Sequence, residues 1–450
     1  MTHMTDNTKN ITVLDNINMP GASGAGHIVI SGDRIAAIGS CRYTPGGKYP
    51  SAQIVDCGGA TALPGAIDIH VHFREPGLTH KATIASESRA AVAGGVTSFV
   101  DMPNVIPPTP DTQLLEDRAG IASRTSAANY GFWLGASADN ADIIASADYS
   151  RIAGVKMFLG SSTGGLLVAD DASISRILEA VPDDVVVCVH AEDNAVIDRC
   201  RKRITDLYGP DPAVRFHSQI RPVEACVRAT ERILTLAQRY NTRLHVAHIT
   251  TADELSLFSP GDIAGKRCTC EVSPHHLLWC DADYASRGTR IKMNPAVKSD
   301  ADRRALRRGV LESRIDVIAT DHAPHLPSEK KGGAMTAMSG APMVQFSYPA
   351  ILDLFGAETA CRLMAANPAA LLGIRGRGSL SSGFFADIVL SRTLSPRPVT
   401  DSDVLSLCGW TPLAAEPGLP SEPFHLTHSV ETVAINGIAK TPRRLVFNQR

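Results

Sequence analysis

The chain has 450 residues, 44% hydrophobic and 20% charged, which is enough for two or three average domains or for one large barrel with an appendage. Its formal net charge of −2 and the lack of a basic block give no indication of binding to nucleic acid or to an anionic membrane surface. No apolar run approaches the roughly 18–20 residues of a membrane span, and residues 1–10 lack the order of a signal peptide, so we expect a cytoplasmic protein.

Both ends of the chain are predicted to be rich in β-strands. Ser31-Gly-Asp-Arg34 is typical of a hairpin turn between two apolar strands. We expect one small β-sandwich assembled from both termini, with residues 1–60 as its N-terminal part and residues 375–450 as its C-terminal part. The strand-like runs are 11–14, 27–30, 35–38, 386–390 and 430–435.

Between these ends, short apolar runs alternate with longer helical segments such as 83–93 and 223–238. This alternation indicates βα units around a parallel sheet, and eight runs in about 260 residues is the pattern of a (β/α)8 barrel. We therefore predict an α/β protein with a hydrolase barrel over residues 61–374. The predicted barrel strands are 62–69, 96–102, 130–135, 154–159, 185–189, 244–247, 267–272 and 315–320.

The first barrel strand ends in Asp68-Ile-His70-Val-His72-Phe-Arg74. Residues two apart in a strand share a face, so these four polar side chains are expected to point the same way. One histidine in such a strand is usually a buried residue with satisfied hydrogen bonds. Two imidazoles about 6–7 Å apart at their Cα atoms can close on one cation, and we favour a divalent metal here.

Later strands also end in polar residues, at the edge where barrel enzymes place their chemistry. His190 and His248 could each be core histidines, and Asp321 could cap a turn. Lys156 is unusual in an apolar strand, because a buried ammonium costs several kcal/mol unless it is paired or neutralised. A lysine beside a metal pair can react with carbon dioxide and become a carboxylate that bridges two cations.

Taken together, these residues supply nitrogen and oxygen ligands for two divalent ions, with zinc preferred, bridged by carboxylated Lys156 and hydroxide. Two ions lower the pKa of the water between them and polarise a carbonyl group. Asp321 can then accept the proton of the attacking water and return it to a leaving nitrogen. We expect hydrolysis of an amide-like C–N bond. The predicted metal ligands are His70, His72, Lys156, His190, His248 and Asp321.

Arg74 is predicted to project from the metal strand into the same cavity, where a guanidinium is a fork for a carboxylate. A pair with Glu75 or with another acid is the alternative. Asn104, Asn294 and His325 stand at neighbouring rims and could complete a pocket for a carboxylate and a cyclic imide, although both asparagines could also be turn formers.

The chain resembles the dihydroorotases of the amidohydrolase superfamily from about residue 11 to residue 440. The resemblance is carried by Pro-Gly-Ala-Ile-Asp-Ile-His-Val-His-Phe-Arg-Glu-Pro-Gly, Asp-Met-Pro-Asn, Gly-Val-Lys-Met-Phe-Leu-Gly-Ser-Ser-Thr-Gly, Cys-Glu-Val-Ser-Pro-His-His and Ala-Thr-Asp-His-Ala-Pro-His. It implies the same six metal ligands with Lys156 carboxylated, Asp321 as the catalytic acid and base, and interconversion of dihydroorotate and N-carbamoyl-L-aspartate in pyrimidine biosynthesis. The implied substrate-binding residues are Arg74, Asn104, Asn294 and His325.

Two alternatives remain open at this point. Hydantoinases and allantoinases share the metal framework, but they generally lack an arginine two residues after His-x-His, and their rings carry no carboxylate there. A dihydroorotase-like subunit that only scaffolds aspartate transcarbamoylase would be expected to lose metal ligands, and every candidate position is filled here. The predicted partner is a small-molecule substrate, dihydroorotate or N-carbamoyl-L-aspartate. A homo-oligomer is left open.

Overall fold

The computed structural model describes residues 11–21, 23–46, 48–160 and 165–448. Its strands follow the apolar runs of the sequence closely. They are β1 Ile11–Ile17, β2 Gly26–Ser31, β3 Arg34–Gly39, β4 Gln53–Asp56, β5 Thr61–Pro64, β6 Ala66–Val71, β7 Val96–Asp101, β8 Asn129–Phe132, β9 Leu134–Gly135, β10 Val155–Phe158, β11 Val186–His190, β12 Arg243–Val246, β13 Cys268–Val272, β14 Val317–Ile318, β15 Ile388–Pro398 and β16 His425–Ala434.

The helices between the barrel strands begin at residues suited to capping. Thr83 accepts a hydrogen bond from the amide of Ser86 and so satisfies one of the free N–H groups at the start of the first helix. The helices are α1 Ile84–Ala93, α2 Thr112–Thr125, α3 Ala141–Ser146, α4 Asp171–Ala180, α5 Asn194–Tyr208, α6 His217–Ile220, α7 Val223–Arg239, α8 Ala252–Ser256, α9 Pro274–Leu278, α10 Tyr284–Arg287, α11 Asp300–Leu311, α12 Val344–Cys361 and α13 Asn367–Leu371.

A closed parallel barrel forms the centre of the molecule, in the order β6-β7-β8 and then β9 to β14. β8 and β9 are successive halves of one barrel strand, joined at Trp133, whose indole N–H donates to the carbonyl of Ile69 at 2.8 Å. The barrel closes where the amide of His72 donates to the carbonyl of His322 at 2.8 Å. Asp68 accepts from the amide of Thr320 at 3.1 Å across the same seam. The predicted (β/α)8 barrel is therefore confirmed.

Two smaller sheets come from the ends of the chain, in the orders β3-β2-β1-β4 and β16-β15-β5. Their inner faces share one apolar cluster that includes Leu14, Ile28 and Ile30 from the first sheet and Ile388 and Leu390 from the second. The predicted β-sandwich made from both termini is thus confirmed. Its hairpin between β2 and β3 turns at Gly32, whose φ of 60° suits glycine.

The structure differs from the sequence pattern at the start of the barrel. Residues 62–64 were expected to extend the first barrel strand, but β5 pairs antiparallel with β15 in the terminal sheet. The chain passes from one sheet to the other at Gly65, where a Cβ atom would collide with the side chain of Thr97. An apolar run that crosses two sheets has no break in composition, which explains the difference.

Two C-terminal segments pack on the barrel instead of on the sandwich. Residues 399–424 lie over the carboxyl end of the barrel, and the indole N–H of Trp410 donates to the carbonyl of His325 at 2.7 Å. Leu445 and Phe447 join the apolar cluster that contains Trp133. The domain boundaries at residues 60 and 374 stay predictions. Across the described ranges, no helix is both long and apolar enough to cross a membrane.

Candidate metal centre

Three predicted ligands come together where the first and last barrel strands meet. His70 lies in β6, His72 directly follows it, and Asp321 follows β14. One ligand atom from each lies within 4.8 Å of the others, and all three residues are buried. Nε2 of His72 is 3.1 Å and Nε2 of His70 is 3.4 Å from the same oxygen, Oδ1 of Asp321. Asp68 does not join them, because its carboxylate is bonded to Thr320 at the seam.

The hydrogen bonds of the His70 and His72 rings leave Nε2 of each ring facing Oδ1 of Asp321. Nδ1 of His70 contacts a carboxylate oxygen of Glu271, and Nδ1 of His72 lies 2.8 Å from Oδ1 of Asn104. When Nδ1 donates in each ring, Nε2 is an unprotonated donor atom for a metal. Burial lowers the pKa of His72 to about 4, which keeps this ring neutral. Two lone pairs and a carboxylate oxygen that face each other fit a cation between them.

His190 and His248, two further predicted ligands, lie side by side, and the ring of His248 is 5.2 Å from the ring of His70. Nδ1 of His190 is 3.0 Å from Nε2 of His248, and Nε2 of His190 is 2.9 Å from Glu192. Glu192 also takes a two-pronged ion pair from Arg221, which leaves it firmly oriented. Nδ1 of His248 is buried and has no hydrogen-bond partner among the described residues. Such an atom is costly unless an additional group binds there, so this pair also fits a metal.

Lys156 lies on β10 directly beside these histidines. It has no exposed surface, and its Nζ is 3.5 Å from the sulfur of Cys188 on β11. The neighbouring strand register pairs Phe158 with His190. In the described part of the chain, no ion pair includes Lys156, and its Nζ lies 5.2 Å from the centre of the Phe158 ring. The cost of burying its ammonium is therefore not offset by an anion among the described residues.

Three residues of the site have backbone conformations that side chains other than glycine rarely adopt. The φ angles are 66° at Arg74, 37° at His248 and 48° at Asp321, each just beyond the end of a barrel strand. Such angles cost on the order of 1–3 kcal/mol each and cluster at functional sites. At these positions the chain must leave its strand while its side chain still faces the barrel axis.

These side chains open into a cavity of about 410 Å³ at the carboxyl end of the barrel. Every predicted site residue except Lys156 lines it. Side chains and backbone of the loop 334–340, which follows β14, form part of its wall. The lining includes His70, His72, Arg74, Asn104, His190, His217, Arg221, His248, Lys292, Asn294, Asp321 and His325.

Arg74 is 5% exposed in this wall, and the alternative pair with Glu75 is not formed. Its Nε donates to the carbonyl of Pro324 at 3.1 Å, and Nη2 lies 3.1 Å from Nε2 of His325. Glu75 instead accepts the amide of Ile84 at the start of α1. Burial lowers the pKa of Arg74 to about 10, so the guanidinium remains charged near neutral pH. No ion pair within the described ranges includes it.

Several functional neighbours were not found from the sequence. Glu192 is two residues after His190. If the strand pattern is continued beyond His190, the Glu192 side chain is expected on the same face as His190, which could have indicated its role. His217 is the first residue of α6, and Arg221 directly follows that helix. Nothing in the sequence around them indicates that both line the cavity. Lys292 is 3% exposed and also lines the wall.

A barrel with imidazole and carboxylate ligands at the carboxyl ends of its strands is the architecture of a metal-dependent hydrolase. Residues 61–437 match the amidohydrolase family, and the chain belongs to that family. It is 35% identical over 402 residues to a protein named dihydroorotase from Halobacterium salinarum, covering 87% of this chain and 90% of that one. A dihydroorotase from Methanosarcina acetivorans is 32% identical over 375 residues, covering 80% and 79%.

Solved structures with the same fold are more distant in sequence. L-Hydantoinase (dihydropyrimidinase) from Arthrobacter aurescens superposes with a TM-score of 0.83 at 24% identity, covering 95% of this chain and 96% of that one. Dihydropyrimidinase from Brevibacillus agri gives 0.81 at 21% identity, covering 98% and 100%. At these identities the likeness concerns the fold.

Proposed function

We propose that this protein is a dihydroorotase, which reversibly hydrolyses the cyclic amide of L-dihydroorotate to N-carbamoyl-L-aspartate in pyrimidine biosynthesis. The relatives that share about a third of its residues over most of their length carry that name. The observation that carries the proposal is Arg74, a buried guanidinium beside the metal centre with no carboxylate partner among the described residues. A ring with a carboxylate would supply the missing anion.

Two divalent cations, with zinc preferred, would be held by His70, His72, His190, His248 and Asp321, with Lys156 as the bridging ligand after carboxylation. Four imidazoles and carboxylate oxygens without a thiolate suit zinc. The burial of Lys156 without an ion pair among the described residues supports its conversion to an anion. When bound, these ions would polarise the ring carbonyl and lower the pKa of water.

The protein's own groups account for substrate orientation and proton transfer. Arg74 would pair with the ring carboxylate, and the Asn104, Asn294 and His325 side chains would contact the rest of the ring. Although burial raises the pKa of Asp321, the adjacent His70 and His72 hold it well below its usual value, so Asp321 is a carboxylate. It would accept one proton from the attacking water and deliver it to the ring nitrogen as the C–N bond breaks.

The proposal is tested by following both sides of the reaction with purified, metal-loaded protein. We expect L-dihydroorotate to disappear and N-carbamoyl-L-aspartate to form in equal amounts, and the same equilibrium to be reached from either direction. Metal binding without turnover of either compound would contradict the proposal and would favour a scaffolding role.

A further inference from the structure

His217 lies on α6, outside the metal centre, and it is 3% exposed in the wall of the cavity. Its Nε2 has two neighbours: the carbonyl oxygen of Met293 at 2.9 Å and Oδ1 of Asn294 at 3.1 Å. The single ring therefore contacts both the backbone and the side chain of the segment that carries a predicted substrate-binding residue.

The tautomer of His217 follows from these contacts. A carbonyl oxygen can only accept, so Nε2 must carry the proton that it shares with Met293. Burial, with Lys292 and Arg221 nearby, holds the pKa of His217 well below its usual value, so the ring has one N–H only. Nδ1 is buried without a partner in the described part of the chain, which suits an unprotonated nitrogen better than an N–H.

This tautomer determines how the Asn294 amide is turned. Because Nε2 of His217 is a donor, the Asn294 atom that faces it must be the acceptor, Oδ1. The NH2 group of Asn294 is then directed elsewhere, and no described residue accepts a hydrogen bond from it. Asn294 is half-buried and lines the cavity, where a ligand atom can accept from this group.

We propose that His217 is a positioning residue that holds Asn294 with its NH2 group toward the ligand, so that the site selects a ring with an acceptor oxygen at that place. Asn104 has a related arrangement, because its Oδ1 faces Nδ1 of His72. Together with the Arg74 guanidinium, the two amides would offer hydrogen-bond donors to a carboxylate and to carbonyl oxygens. This inference deepens the proposed function and rests on it for the identity of the ring.

The test uses two substitutions that differ in where they place an amide. The side-chain nitrogen of glutamine can reach the position of Nε2, whereas that of asparagine reaches only the position of Nδ1. The probe is orotate, an unsaturated ring with the same carboxylate and two carbonyl groups, and its Kd is measured by calorimetry with the metal-loaded protein. We expect His217→Gln to bind within about twofold of the wild type and His217→Asn to bind about 3- to 10-fold more weakly.

A double-mutant cycle separates positioning from a merely structural effect. With Asn294→Ala already present, His217→Asn should weaken orotate binding no further. Metal content and melting temperature, measured in parallel, should match the wild type. Additive losses in the cycle, equal losses in the glutamine and asparagine variants, or unchanged binding in His217→Asn would each overturn the inference.

Asn294→Asp provides an independent test that leaves His217 intact. An aspartate still accepts from Nε2 of His217, but it presents an oxygen to the ligand where Asn294 presents NH2. We expect orotate to bind more weakly to Asn294→Asp than to Asn294→Ala, and tighter binding to the aspartate variant would overturn the inference. Because binding is measured without turnover, a wild type that binds orotate but does not hydrolyse dihydroorotate would count against the proposed function alone. A wild type that does not bind orotate would overturn this inference.

Discussion

Nε2 of His72 lies 3.1 Å from Oδ1 of Asp321, although the two residues are 249 positions apart in the chain. The contact crosses the seam where the first and last barrel strands meet, next to the backbone bond from His72 to His322. Asp321 thus contacts a predicted metal-binding nitrogen and also lines the cavity. From this position one carboxylate can both bind a cation and exchange a proton with the substrate.

Asp321→Asn should remove proton transfer while it preserves the size of the side chain. We expect kcat for L-dihydroorotate to fall by about 10²- to 10⁴-fold, because general acid and base catalysis contributes that much. Circular dichroism and the melting temperature should show an intact fold. Activity near the wild-type level in a folded Asp321→Asn protein would refute the role assigned to this carboxylate.

Arg74→Met should affect mainly the affinity for a ring that carries a carboxylate. Loss of a charge-assisted hydrogen bond predicts a KM for L-dihydroorotate roughly 10- to 150-fold higher, with a smaller change in kcat. Arg74→Lys is the matched control, because it keeps the charge but loses the planar fork. Its KM should lie between those of the wild type and Arg74→Met. The steady-state kinetics of all three proteins provide the comparison. An unchanged KM in Arg74→Met would contradict the carboxylate assignment.

Lys156→Ala should lower the metal content of the purified protein, because the proposed bridging ligand is lost. Elemental analysis by mass spectrometry measures the metal bound per chain. Lys202→Ala is a suitable control, since Lys202 lies on the surface of α5 in an ion pair with Asp206. Full metal occupancy in Lys156→Ala would rule out the bridging role. Treatment of the wild type with a chelator should abolish turnover, and added zinc should restore it.

The burial of Glu254 predicts how the stability of the protein depends on pH. Burial raises the pKa of Glu254 from 4.5 to about 7. Between these two pH values, the folded state therefore still holds a proton that the unfolded state has released. Stability should therefore fall as pH rises from about 4.5 through 7, by about 3 kcal/mol at most. Glu254→Gln removes this titration and should flatten the dependence of the urea midpoint on pH. Glu179→Gln, at an exposed glutamate, should leave the slope unchanged, and an unchanged slope in Glu254→Gln would contradict the prediction.

The sequence was most informative where chemistry and strand pattern coincide. His70 and His72 share one strand face, and Asp321 follows an apolar run, so their approach could be predicted from the closure of a barrel. The terminal sandwich could also be predicted, because both ends of the chain carry strand patterns. The metal identity, the number of ions and the state of Lys156 depend on chemistry outside the chain.

Other features depend on tertiary structure and leave no local pattern. Glu192 orients His190 only because Arg221, 29 residues later, holds the carboxylate from the other side. His217 reaches Asn294 across 77 positions, and neither residue belongs to a motif that signals the contact. The passage of the chain from the terminal sheet into the barrel at Gly65 was hidden within one continuous apolar run.

The most direct test of the account compares kcat/KM for L-dihydroorotate with that for hydantoin and allantoin, using the metal-loaded wild-type protein. The fold is shared with hydantoinases, and the proposed function assigns the choice among these rings to the Arg74 side of the cavity. We expect efficient turnover of L-dihydroorotate and little or none of the two uncharged rings. A preference for hydantoin or allantoin would contradict the assignment of the substrate while leaving the metal centre in place.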